Sequence, residues 1–274
     1  MHNSSSIQPL GAIKPLYAMV ARTDGGKRRS NNEDAVGIHP DALPWPIAVL
    51  ADGMGGFNAG EVASAMATSL LPAALQSYAI PTPQNDSEKE RTQLRHALME
   101  SLTLTNSAIL NAAQQTPGCQ GMGTTVITAA LLPGRLMLAH LGDSRAYGWR
   151  QGQLHRLTRD HTWLQAEIDA GRMQEQQGRQ SGLGHLLTRA LGVARSVAPD
   201  LNEWPLLPGD RILLCSDGLT DMLSDKIIAS LFAQGLSLPL LLTALVNAAN
   251  NAGGHDNIGV VLIEVPHTPA LCNS

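Results

Sequence analysis

Residues 124–157 read TTVITAALLPGRLMLAHLGDSRAYGWRQGQLHRL, and this stretch decides the fold. It holds consecutive β-type runs at Thr124–Leu132, Arg135–Leu141, Arg145–Arg150 and Gln153–Leu157, with hairpin-turn residues Pro133-Gly134 and Gln151-Gly152 between them. Working outward, further β-type runs precede it at Leu16–Thr23, Asp34–His39 and Pro46–Ala51, and a helical stretch spans Ala59 to Gln76. Pro81 to Ser87 is a linker by its turn residues. After it Leu94, Leu98, Leu102, Thr105 and Ile109 recur at helical spacing and mark one buried stripe. Downstream, residues 161–192 are polar and irregular, with the run Gln174-Glu175-Gln176-Gln177-Gly178, and read as short helices and an exposed flap. A strand at Arg211–Cys215, an amphipathic helix carrying Leu238, Leu241, Leu242, Leu245 and Ala249, and a last strand at Ile258–Val265 complete the chain. Strands come in groups and helices in pairs, which is an α+β pattern of antiparallel sheets covered by helices and not a βαβ alternation. The expected organisation is a loose tail at 1–15, one domain at 16–266 and a short tail at 267–274.

Composition narrows the function classes. A chain of 274 residues buries a large core without disulfide or metal staples. Aromatics are only 3%, so aliphatic side chains fill that core and few platforms exist for stacking bases. The net charge is −4, and the one basic cluster, Lys27-Arg28-Arg29, is too short to argue for nucleic acid or a membrane surface. Cys119, Cys215 and Cys272 are odd in number and far apart, which disfavours disulfides or a zinc site and suits a reducing cytosol. Met1 to Val20 does not read as a signal peptide, and Leu236 to Ala249 is too short to span a bilayer. A cytoplasmic monomer is the expectation.

The chemistry lies in acidic turns. Three apolar runs end in aspartate: Ile47 to Asp52, Leu136 to Asp143 and Ile212 to Asp217. Asp256 sits just before the last strand, and Asp34 opens an early one. One Asp-Gly alone is a common turn, and Asp24-Gly25 is read that way. Five carboxylates on a shared strand rim would repel one another unless cations neutralised them, and an all-oxygen set selects Mg²⁺ or Mn²⁺ over zinc. Gly53-Met54-Gly55-Gly56 follows Asp52 and is either a phosphate cradle or a tight turn bringing carbonyls near a metal.

These residues fall into a familiar order. Arg29 to Asp34 resembles the R-x-x-N-E-D signature of type-2C, metal-dependent protein phosphatases, and Asp52 to Gly56 resembles their D-G-M-G-G in its bacterial form. Gly123-Thr124-Thr125, Gly142 to Arg145 (G-D-S-R), Leu157 to His161 (L-T-x-D-H), Ser216 to Leu219 (S-D-G-L) and Asp256-Asn257-Ile258 match the rest of the pattern. Seven motifs in order, from about Val20 to Val265, make the resemblance specific.

The resemblance implies two stacked antiparallel sheets flanked by helix pairs. It implies hydrolysis of phosphoserine or phosphothreonine on proteins by a metal-activated water, opposing a Ser/Thr kinase. Asp52 would bridge two Mn²⁺ or Mg²⁺ ions with the Gly53 carbonyl on one, while Asp217 and Asp256 would hold the other. Asp143, with Asp217, would hold a third, weaker ion. Asp34 and Glu33 would act on metal-bound waters, Asn257 would support the site, and Arg29 would grip phosphate as a bidentate fork. Met54 stands where animal relatives often carry a histidine proposed as the acid for the leaving group, which leaves metal-bound water or another histidine for that role. His161 reads as a loop-holding residue, and His140 and His255 as structural. A cysteine phosphatase is excluded, because six positions after Cys215 and Cys119 stand Asp221 and Thr125 and not arginine. The non-enzymatic alternative is a phosphate- or metal-sensing module on the same fold; the full set of aspartates argues for the enzyme.

Overall fold

The computed structural model describes residues 17–56, 59–78, 86–174 and 185–267. The tail expected at 1–15, most of the linker and of the final tail, and residues 175–184 of the expected flap lie outside them.

Two antiparallel sheets stack at the centre. The first has the order β1 (Ala18–Asp24), β11 (Ile258–Glu264), β10 (Arg211–Cys215), β7 (Arg145–Arg150) and β8 (Gln153–Arg156). The second has the order β2 (Asp34–His39), β3 (Ile47–Met54), β5 (Val126–Leu132), β6 (Arg135–Leu141) and β9 (Asp200–Pro205), with the short β4 (Gly123–Thr124) paired to the end of β3. Helices α1 (Ala59–Gln76) and α2 (Glu88–Gln115) cover the second sheet. On the other side α4 (Asp217–Thr220), α5 (Asp225–Phe232) and α6 (Leu238–Asn251) cover the first, and α3 (Trp163–Asp169) opens the expected flap.

The unbroken apolar run in β3 follows from this layering. Ile47, Val49 and Ala51 face α1 and α2, while Ala48 and Leu50 face the other sheet. In β5 Val126, Ala130 and Leu132 take the first role, and Ile127, Ala129 and Leu131 the second. Both faces of each central strand are buried, so the polar alternation of a half-exposed antiparallel strand is missing. Helix α1 buries Ala63, Ala67, Leu71 and Leu75 at four-residue spacing, and its small side chains let it lie close on β2 and β3. Helix α2 starts at a reciprocal cap: Ser87 Oγ accepts from Glu90 N at 3.3 Å, and the Glu90 carboxylate accepts from Ser87 N at 3.2 Å.

The strand expected at Thr124–Leu132 is split at Thr125. The Thr125 N–H donates to Asp52 O at 2.8 Å, and its Oγ1 accepts from Asp52 N at 3.0 Å. Thr125 leaves the ladder to wrap the residue that ends the apolar run of β3. Strand β9 and helix α5 were not anticipated from the sequence. Within the expected flap, Ala190 and Leu191 are buried, and Leu191 pairs with Thr124. No helix among the described residues is long and apolar enough to cross a membrane.

Candidate active site

The two sheets present their functional ends on one rim. Asp34, the first residue of β2, stands directly opposite Asp52 on β3. From the other sheet, Asp217 follows β10, and Asp256 and Asn257 precede β11. Asp143 lies in the turn between β6 and β7. All but Asp34 line one cleft of about 630 Å³, together with Arg29, Glu33, Gly53, Met54 and Thr125. Asp34 is buried just behind, with Oδ2 accepting from Ser216 Oγ at 2.7 Å.

Asn257 ties the early loop to this rim. Its Oδ1 accepts from Glu33 N at 2.8 Å, and its Nδ2 donates to Asn31 O at 2.8 Å and Gly25 O at 3.2 Å. Arg29 Nη2 donates to Asp256 Oδ2 at 2.7 Å and remains exposed. Two glycines are dictated by close approach: a Cβ at Gly53 would fall 2.0 Å from Gly60 O, and one at Gly218 would fall 1.9 Å from Asn257 O. Any larger residue would push α1 or the start of β11 away from the aspartates.

The electrostatics are those of a site short of positive charge. Burial, then the charges of Asp34, Asp217, Asp143 and Asp256, hold the Asp52 carboxyl well above the usual range. Burial is also the leading cause at Asp34, pushed up to about 7, at Asp143, pushed up to about 8, and at Asp217, pushed up to about 6. Carboxylates on both sheets raise one another further. Asp34 Oδ1 is buried with no hydrogen-bond partner among the described residues. An orphaned carboxylate oxygen beside further carboxylates is what a hard divalent cation satisfies, and the donors on the rim are oxygens.

Every residue expected at the site is brought to this rim or directly behind it. Two residues after Asp143, Arg145 takes Asp160 with both forks, the shorter at 2.7 Å. His140 packs in β6 and His161 in the L-T-x-D-H loop, both buried and neither lining the cleft. A further part of the cleft lining lies outside the motifs: His185 to Ala190, at the end of the expected flap, and Val193 to Ala198, apart from Arg195. His185, Asp217 and Asp221 offer ligand atoms within 4.8 Å of one another. No spacing signal pointed to His185 or Asp221, which lie outside the motifs.

Comparison with known proteins points to one family. The family profile described as "Protein phosphatase 2C" matches residues 26–239. The serine/threonine phosphatase stp of Listeria welshimeri is 35% identical over 243 residues, covering 89% of this chain and 94% of that protein. The solved S. agalactiae serine/threonine phosphatase superposes with a TM-score of 0.83 at 34% identity, over 91% of this chain and 99% of that one. The catalytic domain of serine threonine protein phosphatase PstP, solved in complex with 2 manganese ions, superposes with a TM-score of 0.75 at 35% identity, over 91% and 98% of the two chains.

Proposed function

The chain belongs to the protein phosphatase 2C family and is a metal-dependent serine/threonine protein phosphatase, and from that premise we propose how its own residues divide the work. Asp52, Asp217 and Asp256, with the Gly53 carbonyl, would hold two Mn²⁺ or Mg²⁺ ions. Asp34, buried behind Asp52, would act on the waters of the site, and Asp143 with Asp217 would hold a third, weaker ion. The observation that carries this reading is the gathering of these aspartates from both sheets with Asp34 Oδ1 left unpartnered. When bound, such ions supply charge neutralisation and a water that ionises near neutral pH.

The protein groups then have distinct tasks. Arg29 leaves Asp256 and forks the phosphoryl oxygens, which are acceptors of the same geometry as the carboxylate it holds in the free site. The Glu33 carboxyl, which burial holds above its ordinary value, lines the cleft and accepts a proton from the attacking water. Asn257 keeps Glu33 in place through the Glu33 N–H. With Met54 in the cleft and His161 outside it, His185 is the one cleft-lining histidine among the described residues and is the protein group nearest to serving the leaving alkoxide. The substrates are phosphoproteins made by a Ser/Thr kinase, and the chain acts in the cytoplasm as a monomer.

The test is hydrolysis of a phosphothreonine peptide and of an aryl phosphate with and without Mn²⁺. Thiol alkylation should leave activity intact, because Cys119 and Cys215 are buried in the core. Activity lost on alkylation but not on chelation would overturn the assignment.

A further inference from the structure

The L-T-x-D-H stretch, Leu157 to His161, carries no group that lines the cleft, yet several of its polar atoms bond the turn that carries Asp143 and the strand that follows it. Leu157 N donates to Ala146 O at 2.8 Å, and Thr158 Oγ1 accepts from Ala146 N at 3.0 Å. Asp160 takes the Arg145 guanidinium. His161 N donates to Gly142 O at 2.8 Å, and His161 Nδ1 accepts from Gly142 N at 3.2 Å. A backbone N–H can only donate, so this contact fixes the neutral ring as the Nε2–H tautomer. That Nε2 lies 3.2 Å from Asp200 Oδ2. From the other side His140 Nε2 donates to Gly142 O at 2.9 Å, and its ring stacks on His161 with centroids 4.3 Å apart.

His161 also reaches the cleft lining at residues 187–189. Its carbonyl accepts from Thr188 N at 2.8 Å, and Arg189 Nη1 meets Asp200 Oδ1 at 2.7 Å. Thr188 and Arg189 line the cleft. One buried residue is therefore bonded both to the glycine before Asp143 and to cleft-lining Thr188. His140, His161 and Asp200 lie close enough to suggest a separate metal site, but the Arg189 guanidinium already sits 3.2 Å from His161 Nε2 and opposes a cation there.

We propose that His161 is a positioning residue, which holds Gly142 so that Asp143 keeps its carboxylate in the cleft for the third ion and locks that turn to the Leu187–Arg189 wall. The proposal rests on the assignment of Asp143 as a ligand given above. It deals with the one family motif that the acidic rim leaves unexplained.

Two variants separate positioning from simple packing. In His161→Asn the amide Oδ1 can replace Nδ1 as acceptor for the Gly142 N–H, whereas His161→Phe keeps the stack on His140 and accepts nothing. The metal-stripped full chain is titrated with Mn²⁺ by calorimetry, and amide hydrogen exchange is followed at Gly142. In His161→Phe the weakest Mn²⁺ Kd should rise by about tenfold or more, the usual cost of losing a group that orients a ligand, while the tighter sites hold. Gly142 exchange should quicken in the same variant, and His161→Asn should restore both. A His161→Phe titration matching the wild type, or His161→Asn as defective as His161→Phe, would overturn the proposal. If His161→Phe does not fold, His161→Gln replaces it, since Gln can still donate to Asp200 but does not place an acceptor at Gly142; wild-type Mn²⁺ binding there would overturn the proposal equally. Asp143→Asn, run in parallel, should lose the weak ion whatever happens at His161. If it retains every ion, the ligand assignment itself falls, and this proposal with it.

Discussion

Asp52 is the residue on which the site converges, since four other aspartates raise its carboxyl and its backbone is held by Thr125. Asp52→Asn, Asp217→Asn and Asp256→Asn should each slow phosphopeptide hydrolysis by roughly a thousandfold or more, because several kcal/mol of charge stabilisation corresponds to such a factor. Steady-state kinetics on variants that melt like the wild type will check this. Arg29→Ala should act differently. Its guanidinium is exposed and pairs with Asp256 across the rim, so KM should rise more than kcat falls.

The same carboxylates set a pH signature for the metal-free protein. Asp34 and Asp143 are pushed up from 3.8 to about 7 and about 8, so above the unfolded value the folded state holds more protons than the unfolded chain. Their contribution to stability is therefore present at low pH and lost as pH rises through those folded values. Buried His140, pushed down from 6.5 to about 4, has the opposite sign but only below its unfolded value. The diagnostic window is thus pH 6.5 to about 8. In EDTA the melting temperature should fall across it, and saturating Mn²⁺ should abolish or reverse the fall. A melting temperature in EDTA that rises across the window would show that the carboxylates are not crowded.

At the scale of elements, what could be read from the sequence tracks how much each element buries. The runs ending at Asp52 and Asp217 stood out because β3 and β10 are buried on both faces. Strand β9 did not, because it is a sheet edge of half-buried residues, Asp-Leu-Asn-Glu-Trp-Pro, paired on one side with β6. Helix α5 escaped because its eight residues bury only Ile228 and Phe232, too few to show a period. The Arg145–Asp160 pair, 15 residues apart, leaves no spacing signal at all. Element stability should follow the same burial. Leu50→Ala, between the sheets and fully buried, should cost about 2–5 kcal/mol by leaving a cavity. Ser87→Ala, which removes only the cap of α2, should cost about 1 kcal/mol. Urea unfolding will rank the two, and a cap variant as costly as the core variant would contradict this account of the layers.

For the whole molecule, the arrangement explains why the motifs are scattered over the chain. Each sheet contributes strand ends to one rim, so residues from Arg29 to Asn257 meet only when both sheets are stacked and the inter-sheet core is closed. Leu186 and Val193, both exposed, line the same cleft. Hydrolysis should depend on divalent ions held by this set of aspartates. The most direct measurement strips the full chain with EDTA, assays phosphothreonine-peptide hydrolysis, and repeats the assay during a Mn²⁺ titration in wild type and Asp52→Asn. Turnover should be absent in the stripped wild type, return with Mn²⁺ and stay absent in Asp52→Asn. Undiminished turnover of the stripped protein, or full recovery in Asp52→Asn, would contradict the claim.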